Sequence, residues 1–328
     1  MGTLSLYTAE TKRFTKRRFT RFFVLGLVLV LGAISVGMFF TNQKSTPEVV
    51  AAAEKEAEAS FQRDLAMSVE QNKICAIQPE CTQWTPTRED YQAEWYMPST
   101  FNFKKHFGAM ATTLAALLAV LAFVLGASFV GAEWSSGGMM NLLLWRPQRI
   151  KVLSTKLAAL LVVLTGITVV LSAVWTGIFA VIANLRGTLD GMTSGAWQSM
   201  LLMELRGLVL VLVFGAVGFG LASIGRHTAV AMGAAIAVVV LFQFGLGTVL
   251  AMAQVSYAEK YLIPTWVAAW MDKSYKITDW NAPCLNSATG CEPPTMTIEW
   301  PAAGGLFAVT VAAVIAAAMW TLRSRDIT

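Results

Sequence analysis

The chain has 328 residues, 55% of them hydrophobic and 14% charged, with a mean hydropathy of +0.57; soluble domains carry about a quarter charged residues, so soluble-enzyme classes are excluded. Lys and Arg number 25 against 20 Asp and Glu, a net +5. The placement of that excess along the chain fits membrane sidedness better than nucleic-acid binding.

Residues 1–21 contain Lys12, Arg13, Lys16, Arg17, Arg18 and Arg21, a basic segment ahead of the first apolar run, 22–40. That run is longer than the h-region of a secretory signal and no small-residue cleavage site follows, so an uncleaved anchor is expected. Residues 41–106 are a long polar segment. Its stretch from Pro47 to Met67 has Ala, Glu and no interior Pro or Gly, which predicts a helix continuing the first span. From Cys75 to Pro98 turn residues replace any apolar period, predicting a small irregular cap, a lid or docking surface with too little core to stand alone. Five more apolar runs follow at 107–132, 157–184, 201–225, 228–253 and 301–322, each long enough to cross a hydrocarbon layer of about 30 Å. The fold class expected is an all-α polytopic membrane protein with six transmembrane helices.

An even number of spans puts both ends on one side, and basic residues mark the cytoplasmic one. The N-terminal six, Arg146, Arg149, Lys151 and Lys156 in segment 133–156, Arg226 in the turn after span four, and Arg323 and Arg325 in the tail 323–328 all fall on one side. Segments 41–106 and 254–300 are richer in Asp and Glu and are assigned outside the cell. All four cysteines, Cys75, Cys81, Cys284 and Cys291, lie in those two segments, where disulfides can form. Local bridges Cys75 to Cys81 and Cys284 to Cys291 are the simplest of three pairings. The spacings are not CxxC and the chain has two histidines, so no metal site is expected. In 254–300, Trp266 and Trp270 stand four apart among further aromatics, which predicts a short membrane-associated helix or an anchoring aromatic belt.

No catalytic constellation is present: the chain has no HExxH, no GxSxG and no GxxxxGK[ST] phosphate loop. Polar residues within apolar spans are candidates for function because of their cost in lipid. Glu204 and Arg206 lie near the outer start of span four, two residues apart and so on different faces, either snorkelling to the interface or lining a pathway. Gln243 within span five reads as helix glue or as a pathway residue.

The segment Gly131 to Lys156, GAEWSSGGMMNLLLWRPQRIKVLSTK, passes from an acid through a Ser/Gly bend and an apolar stretch to basic residues. It is either a plain interfacial helix or an element that a soluble partner grips. Glu133, Gly137, Gly138, Leu143, Leu144, Pro147, Arg149 and Lys156 resemble the E...G...LL..P..R......K pattern after the second span of permease subunits of the type-2 ABC (ATP-binding cassette) exporter family. Glu10, Lys12 and Phe14 in the amphipathic basic segment 1–21 are similar to that family's cytoplasmic interfacial helix, and Arg323 to Asp326 to its usual end.

The resemblance implies a permease of the plasma membrane that pairs with a second copy, as homodimer or heterodimer, and with two cytoplasmic ABC ATPase subunits that hold ATP and Mg. Glu133, Gly137, Gly138, Leu143, Leu144, Arg146, Pro147 and Arg149 would form the coupling element. This chain would hold no cofactor and catalyse no reaction, and its cargo would be hydrophobic or amphiphilic. The alternatives are a non-transporting anchor or assembly subunit of an envelope complex and, less favoured, a membrane enzyme acting on lipid.

Overall fold

The structure, a computed structural model, describes residues 3–76, 83–145, 148–282 and 293–324. Helix α1 (Thr3–Lys16) breaks at Arg17 before α2 (Arg18–Thr41). The later long helices are α5 (Phe103–Ser135), α7 (Arg149–Arg186), α8 (Ser194–Gly225) and α12 (Trp300–Ser324). Between α8 and α12 a continuous stretch, Thr228–Met252, runs as α9 (Thr228–Ala237), a π-helix (Val238–Leu246) and α10 (Gly247–Met252). Among the described residues, six helical stretches are therefore long and apolar enough to cross a membrane. The protein is an all-α polytopic membrane protein, as composition and spacing led us to expect.

Helix ends and membrane ends do not coincide. Span three was expected from Leu157, yet α7 starts at Arg149, because no Gly or Pro interrupts the chain until Gly166 and charged residues are compatible with helix. At 38 residues α7 is about 57 Å long, well beyond a hydrocarbon layer. Segment 133–156 is correspondingly shortened. Helix α5 runs to Ser135, a bend follows, α6 covers Gly138–Trp145, and α7 takes the remainder.

The chain divides into two compact units. One comprises 1–32, 107–176 and 193–328. Its centre is the crossing of α5 and α8, where small residues let backbones touch. A Cβ on Gly126 would strike the carbonyl of Gly215, and one on Gly218 would strike that of Phe123. Ala115, Ala119, Leu210 and Met271 form a buried cluster beside it. Met271 belongs to α11 (Ile263–Asp272), the expected aromatic helix of 254–300, which packs against α8 and α12 through Trp270 and Phe307. Sequence reading missed the hairpin that follows. Strand Ser274–Thr278 pairs antiparallel with Thr295–Glu299, Tyr275 opposite Ile298, and buries Ile277 and Ile298 with Ala269 and Ala303. Five residues a side is too short for alternation to stand out among loops.

The second unit comprises 33–106 and 177–192. Here α3 (Pro47–Cys75) is a helix of its own and not the continuation of α2 that was expected. Asn42 Nδ2 donates to the Met38 carbonyl at 2.8 Å and ends α2, while Thr46 Oγ1 accepts from Val49 N at 3.4 Å with Pro47 in the first turn. The cap contains a 3-10 turn, Arg88–Asp90, and α4 (Ala93–Tyr96). It fastens to α3 through Tyr91 Oη donating to Asp64 Oδ2 at 2.5 Å, Arg88 on Glu58 at 3.0 Å, and a two-way bond between the Asn72 amide and the backbone of Trp84. Phe101–Asn102 pairs parallel with Gly187–Thr188, and Phe101 lies buried against Phe179.

Candidate functional site

One end of the first unit gathers the start of α2, the end of α5, the start of α7, the α8–α9 turn and the end of α12. Arg17 Nη1 donates to the carbonyls of Ser128 and Phe129, both at 3.2 Å, and Arg149 Nη1 to that of Leu322 at 3.2 Å. Arg226, at φ +52°, lays its guanidinium over Trp134, and His227 Nδ1 accepts from Ala229 N to cap α9. A Cβ on Gly131 would strike Thr228, so α5 meets that turn backbone to backbone.

At the centre of this end is an ionic network. Lys156, two turns into α7, places Nζ 2.7 Å from Glu10 Oε2 and 2.6 Å from Glu133 Oε2. Arg17 Nη2 holds the other Glu133 oxygen at 3.0 Å. Glu10 and Lys156 are wholly buried and Glu133 nearly so. Arg13 Nη1, on the exposed side, adds a longer contact of 3.7 Å to the other Glu10 oxygen, so two carboxylates face three cations. Phe129 forms its floor, with Arg17 and Lys156 at 5.2 and 5.3 Å from the ring centroid and Phe14 edge-on at 4.9 Å. Charges removed from water persist only when each has partners, and this cluster supplies them from α1, α5 and α7 together.

From this cluster the chain leaves α5. Gly137, at φ +72°, closes the helix, with Ser136 N bonded to Ala132 O and Gly137 N to Trp134 O. Helix α6 then buries Met139 and exposes Leu144, at 80%. Beside its first residue, Gly138, opens a concavity of about 520 Å³ walled by Lys12, Arg13, Lys16, Arg17 and Glu133.

The residues grouped by sequence into a coupling element thus separate. Glu133 and Arg149 turn into the chain, Gly137 and Gly138 shape the bend, and Leu144 faces outward. Arg146 and Pro147 lie outside the described residues, as does the side chain of Leu143. In the sequence Glu10, Glu133 and Lys156 stand in family-like patterns that do not connect them, and Arg17 is only one of six basic residues. A lone acid in a basic segment and a lysine leading an apolar run were the available signals.

Glu204 and Arg206 do occupy different faces of α8. Thr176 Oγ1 donates to Glu204 Oε1 at 3.3 Å, whereas Arg206 Nη1 donates to the Met271 carbonyl at the end of α11 at 3.2 Å, and Trp270 Nε1 returns a bond to Arg206 O at 2.9 Å. Gln243, in the π-helix, accepts from Ile263 N at 3.2 Å and caps the start of α11. Arg206 and Gln243 therefore hold the two ends of α11. Cys75 ends α3 and is disulfide-bonded; Cys81, Cys284 and Cys291 lie outside the described residues.

Residues 10–325 match a protein family described as ABC-2 family transporter protein, a range that takes in all six spans and both long segments between them. A search among curated proteins gave no match.

Proposed function

Since the chain belongs to the ABC-2 transporter family, we propose that it is the permease subunit of an exporter of the plasma membrane, moving a hydrophobic or amphiphilic cargo. Hydrolysis falls to a separate ABC ATPase present in two copies, which holds ATP and Mg, and a second permease copy completes the complex. This chain itself catalyses nothing.

The observation that carries the reading is the ionic network at the root of α6. A short helix with an exposed apolar tip is what a soluble partner grips. Its root is bolted to α1, α5 and α7 through Glu10, Glu133 and Lys156. A displacement of α6 is then delivered to two long helices at once instead of being absorbed in a loop. In this arrangement Leu144 is the contact and Glu133, Arg149 and Lys156 are positioning residues.

The test is co-purification in mild detergent from cells that also make the ATPase. Leu144→Asp is expected to lower ATPase recovery at least tenfold with the permease yield unchanged. Equal recovery from both forms, or no ATPase with the unaltered chain, overturns the proposal.

A further inference from the structure

Glu204 stands apart from the other carboxylates of α1 and of the membrane-spanning helices of the first unit, Glu10 and Glu133. Glu10 and Glu133 are paired with Arg13, Arg17 and Lys156, and Arg206 is spent on α11. Glu204 has one hydrogen bond, from Thr176, and no ion pair among the described residues. It lines a crevice of about 330 Å³ between α7 and α8, with Phe107, Val169, Ala173, Trp197, Leu201 and Leu205 among its walls. That volume is at the small end of those that hold organic ligands.

Independently, Thr168 points to the same crevice. Threonines elsewhere in the long helices return their hydroxyl to the carbonyl four residues back, as Thr113, Thr165, Thr248 and Thr310 do. Thr168 is buried and lines this crevice, and its Oγ1 has no hydrogen-bond partner among the described residues. Thr168 and Thr176 are eight apart on α7 and so share a face with Ser172 between them, which also lines the crevice. The site therefore offers an unneutralised carboxylate, an unsatisfied hydroxyl and apolar walls.

A carboxylate in surroundings of low polarity favours a cation strongly. One carboxylate with hydroxyls is too few oxygens for a divalent metal, and apolar walls reject a hydrated ion. An ammonium with N–H donors satisfies Glu204 and Thr168 together, and its hydrocarbon body fills the rest. We propose that this crevice binds an amphiphile bearing an ammonium head group, with Glu204 as its counter-charge; that such a ligand is cargo rests on the transporter reading, but the binding does not. Two sources share this chemistry, a free alkylammonium and the head group of phosphatidylethanolamine.

The experiment is native mass spectrometry of the chain purified in a neutral detergent and titrated separately with dodecylammonium, phosphatidylethanolamine and dodecyl sulfate. We expect an ammonium amphiphile to be retained and the sulfate not. Glu204→Gln should weaken retention about tenfold, Glu204→Asp should restore most of it, and Ala173→Phe should block the crevice with the charge intact. Retention of dodecylammonium alone identifies a site for free cations, and retention of phosphatidylethanolamine a lipid site. Equal retention by the Glu204→Gln form, or equal retention of dodecyl sulfate, overturns the proposal. Neither result depends on an ATPase, so this site and the permease reading fail separately.

Discussion

Lys156 illustrates how much one side chain carries here. Replacing it by Met leaves the buried Glu10 with only the 3.7 Å contact of the exposed Arg13 and Glu133 with only Arg17, and breaking a buried pair in this way costs about 3–5 kcal/mol. Lys156→Met should therefore lower the thermal unfolding midpoint in detergent markedly, and Lys156→Arg much less. An unchanged midpoint in the Met form would mean that the network is not buried. The cap of the second unit answers instead to pH. The Tyr91 phenol is pushed up to about 12, chiefly because it donates to Asp64, so its contribution is fully present below its ordinary value of 10 and is lost as pH rises through 12. The Asp90 carboxyl is held below its ordinary 3.8 by hydrogen bonds from the Thr87 hydroxyl and amide, so its contribution is present above 3.8 and is lost as pH falls further. A spin label at Thr85 should keep constant mobility between pH 5 and 9 and loosen at both extremes. Constancy up to pH 12 and down to pH 2 would contradict both assignments.

Among the helices, α5 and α8 are set by contact and not by propensity. Gly is the poorest helix former after Pro, yet Gly126, Gly215 and Gly218 sit in mid-helix because backbones meet there. Gly126→Val places two methyls against the Gly215 carbonyl and should cost about 1–3 kcal/mol or more, whereas Gly166→Val, where a Cβ meets nothing within 4 Å, should be nearly neutral. Comparing their unfolding in the same detergent checks this, and equal effects would mean that the crossing lies elsewhere. The small-residue run in α8 was plain in the sequence, but its partner was not. Periodicity says which face is small, and only the crossing says what meets it. The same holds for Gln243. It lies deep in an apolar run, and its carboxamide oxygen accepts from the backbone of α11, which no side-chain pattern reports.

For the molecule as a whole, the contacts of Arg17, Lys156, Arg149 and Arg226 bring to one end of the first unit the very segments in which the basic residues are concentrated. Charge bias and geometry are independent, and they group the same segments together. Single cysteines at Ser135 and Ser324, introduced after the four native ones are replaced, should be labelled by an impermeant maleimide from the cytoplasmic side alone. A cysteine at Ser60 should react from outside. Labelling of Ser135 and Ser324 from opposite sides would break the six-span plan.

The number of spans, their order and the division of charge were determined by the sequence, because solvation by lipid acts on each segment separately and leaves its mark in local composition. The pairing of Glu10, Arg17, Glu133 and Lys156, the inward turn of Arg149 and the isolation of Glu204 were decided only in three dimensions. Glu10 meets Lys156, and Arg17 meets Glu133, across more than a hundred positions of sequence, and that distance closes only when the helices pack.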